Sequence, residues 1–504
     1  MDSMSFILFG ATGDLAKRKI YPALYNLFIE GKLSPSFSVI GLGRRELTDE
    51  AFQNSVKQSI HTFSRNTPDH QDTMTAFLNV FRYCVLNVNQ IGDYYKLLEV
   101  VNQREQELNI VENRMFYLSV SPEFFDVIVL NIKESGLGTT QGWKRLIIEK
   151  PFGRDLLSAQ ELNENLSQAF LEEEIFRIDH FLGKPMVQNL DVIESSNPML
   201  QTLWDNHQIS NIQIIADETV GVEERAGYYD QAGALRDMFQ NHMLQLLMMI
   251  AIQVSNKGVA GDVRANKKAI MESLRPLQEE DIIHNVVLGQ YIAGELNGNP
   301  VIGYADEQGV SANSRIETFM AARLWIDDYF WNKVPIYIRT GKRLKEKATR
   351  IVIEFKETLT ESKKNKINSN KILVIDISPN EEVYIQINSN NPQNHVASIP
   401  ERMNCYSNEK NMPEAYEKLI LDALCGDATF FAHWDEVELS WKWVQPILNA
   451  IDNNLIPLET YEAGSYGPKG SYQLLEVDGH RWALDAFDVN QNPTTSDKEY
   501  SYNG

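Results

Sequence analysis

The apolar positions of the first third of the chain fall into short unbroken runs separated by longer stretches of amphipathic spacing. The runs lie at 6–9, 37–40, 81–86, 115–119 and 146–149, and continuous apolar character over four to six residues is what a strand buried on both faces requires. Helical patterns such as 14–28 stand between them. This alternation predicts a doubly wound α/β sheet. Beyond about residue 179 the pattern changes. Strand-like runs at 211–219, 318–326, 335–339, 350–356, 372–377 and 383–388 suggest consecutive strands, hence a larger α+β domain with a mainly antiparallel sheet and helices such as 237–253 packed on one face. Ser378-Pro379-Asn380-Glu381-Glu382 separates the last two runs and suits a hairpin loop. Residues 361–370 read as a polar loop, and the tail beyond Asp488 is rich in Asn, Thr and Ser and is expected to fray. The division expected is therefore 1–178, 179–488 and a polar tail, 489–504.

Composition narrows the classes. A chain of 504 residues is too long for one core. Its net charge of −22 argues against a nucleic-acid or anionic-membrane partner, because binding there depends on patches of Lys and Arg. Cys84, Cys405 and Cys425 are scattered and show no metal-ligand spacing, which fits a reducing compartment. The start lacks a basic region followed by a long apolar stretch, so no export signal is expected. The longest apolar stretch, 243–254, is interrupted by Gln245 and Gln253 and is too short to span a membrane. A cytoplasmic protein is the expectation.

Chemistry enters at the end of the first run. Gly10-x-x-Gly13 followed by Asp14 and Leu15 joins a buried strand to a helix, and the free N–H groups of such a junction bind pyrophosphate where glycine lets the anion approach. The spacing matches the dinucleotide fingerprint only in part. The second run ends in Gly41-Leu42-Gly43-Arg44-Arg45. An acidic residue at that place binds the ribose hydroxyls of NAD, whereas arginines suit the 2′-phosphate of NADP. The same pair also reads as a solvated loop.

Three further clusters carry candidate groups. Glu149-Lys150-Pro151-Phe152-Gly153 places a lysine at the carboxyl end of the fifth strand, where ligands of open sheets bind, in a turn that could hold a cis peptide; a solvent-facing lysine in a turn is the other reading. Arg177-Ile178-Asp179-His180-Phe181-Leu182-Gly183-Lys184 offers a carboxylate, an imidazole and an ammonium within a few positions. These suit a phosphate, or Asp179 could orient another histidine; a helix start with solvated cations reads equally from the residues. Asp237 and His242 lie five apart on an apolar helical pattern, not on one α-helical face, and a lone histidine on such a helix reads first as a satisfied core residue. Glu218 and the stretch 223–230 precede them, with carboxylates that suit a polyol or else form a solvated loop.

Taken together, Gly10-Ala-Thr12-Gly13-Asp14-Leu15-Ala-Lys17-Arg-Lys19, Glu149 to Gly153, Arg177 to Lys184, Gly221-Val-Glu-Glu-Arg-Ala-Gly227, Asp237 to His242, and Arg339-Thr-Gly-Lys342-Arg-Leu344 resemble the glucose-6-phosphate dehydrogenase family, in order and over nearly the whole chain. The resemblance implies an α/β Rossmann-like coenzyme domain and a larger α+β domain for substrate binding and dimerisation. It implies oxidation of D-glucose 6-phosphate to 6-phosphoglucono-1,5-lactone with NADP, NAD being the weaker alternative, at the entry to the oxidative pentose phosphate pathway. It also implies a homodimer or homotetramer and no metal. By the same resemblance His242 is the base and Asp179 its partner. His180 and Lys184 hold the phosphate. Glu218, Asp237 and Lys342 contact the sugar, with Lys347 adding a phosphate contact. Gly10, Thr12, Gly13, Asp14, Leu15, Arg44, Arg45 and Lys150 serve the coenzyme, and Lys19 and Lys150 also face the substrate.

Two positions depart from the family pattern. Phe181 stands where tyrosine is usual, removing one donor to the phosphate, a loss of about 1.5 to 3 kcal/mol for a bond to a charged group. Pro185 replaces an acidic residue and is acceptable in a first helical turn. The altered Phe181 leaves open a related dehydrogenase for another sugar or sugar phosphate. A non-catalytic nucleotide-binding regulatory homologue is the alternative of another class, and the joint presence of Asp179, His180, Lys184 and His242 argues against it.

Overall fold

A computed structural model describes residues 2–66, 71–190, 192, 207–255, 263–331, 333–356, 371–390, 398–407, 413–483 and 485. The expected loop at 361–370 and the tail beyond 488 lie outside the described residues. Two compact units form, neither from a single stretch: Met1–Pro198 with Gln240–Ser273 and Asn408–Gln445, and Met199–Phe239 with Leu274–Ser407 and Pro446–Gly504.

The first unit is built on six parallel strands: β1 (Met4–Phe9), β2 (Phe37–Gly43), β3 (Phe81–Val85), β4 (Arg114–Leu118), β5 (Lys144–Glu149) and β6 (Ile175–Ile178). Their order is β3-β2-β1-β4-β5-β6. All neighbours run parallel. Each expected run of the first third is a strand. The sixth strand lies outside those runs, because four residues with Arg177 in the middle carry no continuous apolar signal; Arg177 is buried there on Glu172, 2.6 Å away. The strand order reverses between β1 and β4, and in open α/β sheets ligands bind at the carboxyl ends beside that reversal.

The core on one face of this sheet joins Phe6, Leu8, Val39, Met115 and Ile147 to Leu24 and Leu27 of the helix Tyr21–Ile29. Leu419, Ile420, Ala423 and Leu424 of the helix Ala415–Cys425 belong to the same core. That helix is held by polar contacts as well. Its Glu417 accepts from Arg65 at 2.8 Å and from Asn26 at 3.0 Å. Deeper still, Lys267 and Glu436 form a fully buried ion pair at 2.8 Å.

The second unit carries a nine-stranded sheet composed of β7 (Ile209–Asp217), β8 (Val286–Ile292), β11 (Phe319–Leu324), β12 (Ile336–Gly341), β13 (Ala348–Phe355), β14 (Ile372–Ser378), β15 (Glu382–Asn390), β16 (Ser398–Ser407) and β17 (Leu458–Glu462). A separate small ribbon pairs β9 (Gly294–Leu296) with β10 (Asn299–Val301). The large sheet has the order β16-β15-β14-β13-β7-β12-β11-β8-β17. It is antiparallel except where β7 meets β12 and β8 meets β17, so the mainly antiparallel expectation holds. The hairpin between β14 and β15 forms at the expected loop. Arg339 of β12 is fully buried between Asp217 and Asp485, at 2.8 and 2.9 Å. Burial pushes the Asp217 carboxyl up to about 6 despite that cation.

The expected helix over 237–253 begins at Leu235 and has two parts. Leu235–Met243 is π-helical, and Leu244–Ser255 is α-helical. A π-turn closes i→i+5 bonds, so the α-helical face argument drawn from the spacing of Asp237 and His242 does not apply there.

Candidate active site

The chain turns sharply at the carboxyl end of β6. Asp179 accepts from the Phe181 amide at 3.0 Å through its side chain, and its carbonyl accepts from the Leu182 amide at 3.0 Å. An aspartate that bonds its own backbone two residues on makes a tight turn self-supporting. The same carboxylate oxygen meets Nδ1 of His242 at 2.5 Å, with both side chains almost wholly buried. The imidazole is packed as well as bonded. Phe181 stacks on it with centroids 4.2 Å apart and planes 16° apart, and the His180 ring meets it edge-on at 4.5 Å. The Lys184 ammonium lies 4.1 Å from the Phe181 centroid. Asp179, His180, Phe181, Lys184 and His242 thus form one cluster within the first unit. Pro185 takes the first position of the short helix Pro185–Gln188, where its missing N–H costs nothing.

Electrostatics assigns these groups different roles. Burial alone would raise the Asp179 carboxyl, but the His242 imidazole, with His180 and the Phe181 amide, outweighs burial and holds it well below the usual range. Asp179 is therefore an anion. Burial, reinforced by His242 and opposed by Asp179, pushes His180 well below its ordinary value. His180 is a neutral hydrogen-bonding ring at neutral pH. With the Nδ1 proton of His242 directed at Asp179, the lone pair of that tautomer sits on Nε2. Donor atoms of Asp179, His180 and His242 lie within 4.8 Å of one another, close enough for a cation. The direct Asp179 to His242 hydrogen bond arranges the pair for proton chemistry instead.

The glycine turn sits at the strand-order reversal. Gly10 has φ +81°, and a Cβ there would stand 2.0 Å from the Ser119 carbonyl oxygen beyond β4. Gly13 closes the turn by donating to the Gly10 carbonyl at 2.9 Å. Thr12 lies in that turn, and Asp14 and Leu15 open the helical stretch that follows. Asp14 pairs with Arg18 at 2.8 Å, and Lys19 pairs with Glu414 at the same distance. Arg44 and Arg45 follow β2 and are exposed. The Lys150–Pro151 peptide is cis. Lys150 stands close enough for its charge to act on both Glu149 and His180.

The remaining expected residues belong to the second unit. Lys342 pairs with Glu218 at 2.6 Å, and its ammonium lies 5.0 Å from the Tyr229 centroid. The backbone fixes that pair: Glu218 donates to Gly341 O and its carbonyl accepts from Leu344, each at 2.9 Å. Asp237 is buried, with Arg225 at 3.9 Å. Burial raises the Tyr229 phenol, and the neighbouring charges of Asp237 and Glu218 raise it further, so Tyr229 marks where these groups converge. Lys347 is exposed. Sequence reasoning passed over Tyr229, Tyr117 and Tyr416. Of these only Tyr229 lies inside a quoted motif stretch.

A parallel sheet with a glycine turn at its reversal, joined in one unit to a buried carboxylate and imidazole pair, defines a dinucleotide-dependent oxidoreductase. Comparison with known proteins agrees and goes further. Residues 7–189 match the family model of the glucose-6-phosphate dehydrogenase NAD binding domain, and residues 192–483 that of its C-terminal domain. Glucose-6-phosphate 1-dehydrogenase of Bacillus subtilis (strain 168) is 45% identical over 482 residues, covering 94% of this chain and 97% of its own. That of Aggregatibacter actinomycetemcomitans is 40% identical over 486 residues, covering 95% and 97%. A solved glucose-6-phosphate dehydrogenase in complex with glucose-6-phosphate superposes with a TM-score of 0.85 at 33% identity, covering 96% of this chain and 99% of that one. The chain belongs to the glucose-6-phosphate dehydrogenase family.

Proposed function

We propose that the chain oxidises D-glucose 6-phosphate to 6-phosphoglucono-1,5-lactone, the first step of the oxidative pentose phosphate pathway, with His242 as base. The hydrogen bond between Asp179 and His242 carries this reading. Nε2 of His242 takes the proton of the C1 hydroxyl as hydride departs from C1, and the Asp179 carboxylate stabilises the imidazolium that forms. A nicotinamide coenzyme supplies the hydride acceptor. The turn at Gly10 and Gly13 fits its pyrophosphate, since a Cβ at Gly10 would close the approach. Thr12, Asp14, Leu15 and Lys150 complete the coenzyme side.

The preference for NADP over NAD rests on Arg44 and Arg45, two exposed guanidiniums at the end of β2 with no acid in their place. The substrate phosphate is held by Lys184, which brings the charge, and by His180, which as a neutral ring brings a hydrogen bond without repelling Lys184. Glu218, Asp237 and Lys342 take the sugar hydroxyls, Lys347 adds to the phosphate, and Lys19 and Lys150 line the substrate side. Residues 1–178 serve the coenzyme and 179–488 the substrate and subunit contacts, in a cytoplasmic homodimer or homotetramer. Among the described residues no helix is long and apolar enough to cross a membrane.

The test is the absorbance of reduced nicotinamide with glucose 6-phosphate and either NADP or NAD, for the wild type and His242→Asn. Turnover in the wild type, faster with NADP, and a loss of about 10²-fold or more in the variant with substrate binding retained by calorimetry, is expected. No reduction with either coenzyme would remove the reading and move the search to other sugar phosphates.

A further inference from the structure

Glu149 is the last residue of β5 and pairs in register with Ile178 of β6, so its carboxyl stands beside the turn that begins at Asp179. The reaction described above makes no use of it. Its surroundings are unusual for a carboxylate at a strand end. Tyr117 of β4 donates to Oε1 at 2.5 Å, and Tyr416 of the helix Ala415–Cys425 donates a second hydrogen bond. Among the described residues the charged groups that act on it are Lys150, next to it in sequence, and Asp179, beyond β6. Two neutral phenols hold the carboxyl directly, and among the described residues none forms an ion pair with it, although the Lys150 ammonium is near enough to feel its charge.

We propose that Glu149 is a positioning residue that ties the ends of β4 and β5 to the helix Ala415–Cys425, and that its charge state tunes, through the neighbouring Lys150 whose field also reaches His180, how strongly the phosphate of the substrate is bound. The inference rests on the proposed dehydrogenase reading. Burial raises the Glu149 carboxyl to about 7, against the lowering influence of Tyr117, Tyr416 and Lys150. The group thus changes charge within the working range. Protonated, it leaves the field of Lys150 undiminished. Ionised, it offsets that field and adds a second anion beside Asp179, which weakens the hold on a phosphate dianion.

The experiment measures KM for glucose 6-phosphate from pH 6 to 8 in the wild type and Glu149→Gln. The amide is nearly isosteric and cannot ionise. The second ionisation of the substrate phosphate, near pH 6, is common to both proteins and cancels in the ratio of their KM values. The ratio of wild type to variant is expected to stay near unity at the acid end and to rise about threefold by pH 8, the scale of one charge acting across a partly hydrated site. A ratio that is flat, whether at unity or displaced by the same factor at every pH, overturns the proposal and leaves Glu149 a structural residue. Should Glu149→Gln fail to fold, Tyr117→Phe keeps the carboxyl but removes a donor to its charged form, so the midpoint of the wild-type curve must move to higher pH. A Tyr117→Phe profile that superposes on the wild type is equally fatal. Absence of any wild-type turnover would instead overturn the dehydrogenase reading itself.

Discussion

Phe181 shows how one side chain is asked to do two things. Its ring lies flat on the His242 imidazole, 4.2 Å away, and so limits the rotation of the proposed base around its bond to Asp179. The tyrosine usual in the family would keep that stack and add a phenol beside Lys184 and His180. Phe181→Tyr is therefore expected to lower KM for glucose 6-phosphate by roughly tenfold with kcat little changed, as for one added hydrogen bond to a charged group. An unchanged KM would mean that the ring edge does not face the phosphate. The sequence made this departure visible, since Asp179, His180, Phe181 and Lys184 sit in one short motif. It could not supply the partner of His242. No spacing rule connects Asp179 to a residue on a helical segment far along the chain, and the pairing came only with the resemblance. Tyr416 was less legible still, because nothing in its own neighbourhood marks it until the fold sets it beside Glu149.

At the scale of elements, legibility followed how much of an element is written in contiguous residues. β3 is mostly half-buried and its run is broken by Arg82, whereas strands β1, β2 and β4 are buried on both faces, β5 is buried through its middle, and these announced themselves as apolar runs. β6 did not, being short and centred on an arginine whose charge is met by Glu172 from the preceding turn. The place of the helix Ala415–Cys425 in the first unit was unreadable, since an amphipathic helix shows that it has a buried face and says nothing of what covers it. The junction of β1 with its helix is the element on which the coenzyme reading depends, and it has a specific weak point. Gly10→Ala must place a methyl carbon 2.0 Å from the Ser119 carbonyl at φ +81°. Gly31, at φ +67°, serves as control, because a Cβ added there would meet nothing within 4 Å. Gly31→Ala is expected to cost about 1 kcal/mol, the penalty of the left-handed region alone. Gly10→Ala should cost about 2–4 kcal/mol in chemical denaturation and abolish coenzyme binding, because the backbone must shift at the pyrophosphate donors. Equal losses in the two variants would show that the approach to Ser119 is not tight.

For the whole molecule, the groups that titrate near neutrality set how stability responds to pH. Burial raises the Asp217 carboxyl to about 6, burial and the neighbouring Asp427 raise Asp422 to about 6, and burial raises Glu149 to about 7. Each is already ionised in the unfolded chain over that range, so the folded chain binds more protons. The stabilisation each gives is complete below its unfolded value and is lost as pH rises through its folded value. His180 acts in the opposite sense. It is held neutral when folded and protonates when unfolded, so its cost appears as pH falls below about 6.5. Asp179, depressed by His242, adds stability above its unfolded value that is lost only on stronger acidification. A net charge of −22 adds self-repulsion that also grows with pH. The melting temperature is therefore expected to decline from pH 6 to pH 8. Asp422→Asn separates the buried carboxyls from the global charge. It lies on the helix Ala415–Cys425 and has Lys418 near it as the opposing charge. The neutral amide should stabilise by about 1–2 kcal/mol at pH 8 and by much less at pH 5, less than the full shift implies because the side chain is only partly buried. Self-repulsion is screened by salt, whereas an enclosed carboxyl is screened much less. The difference between wild type and Asp422→Asn at pH 8 must therefore survive in 0.5 M salt, roughly five times the concentration at which the Debye length is about 10 Å. If salt erases it, the decline belongs to surface charge and not to burial.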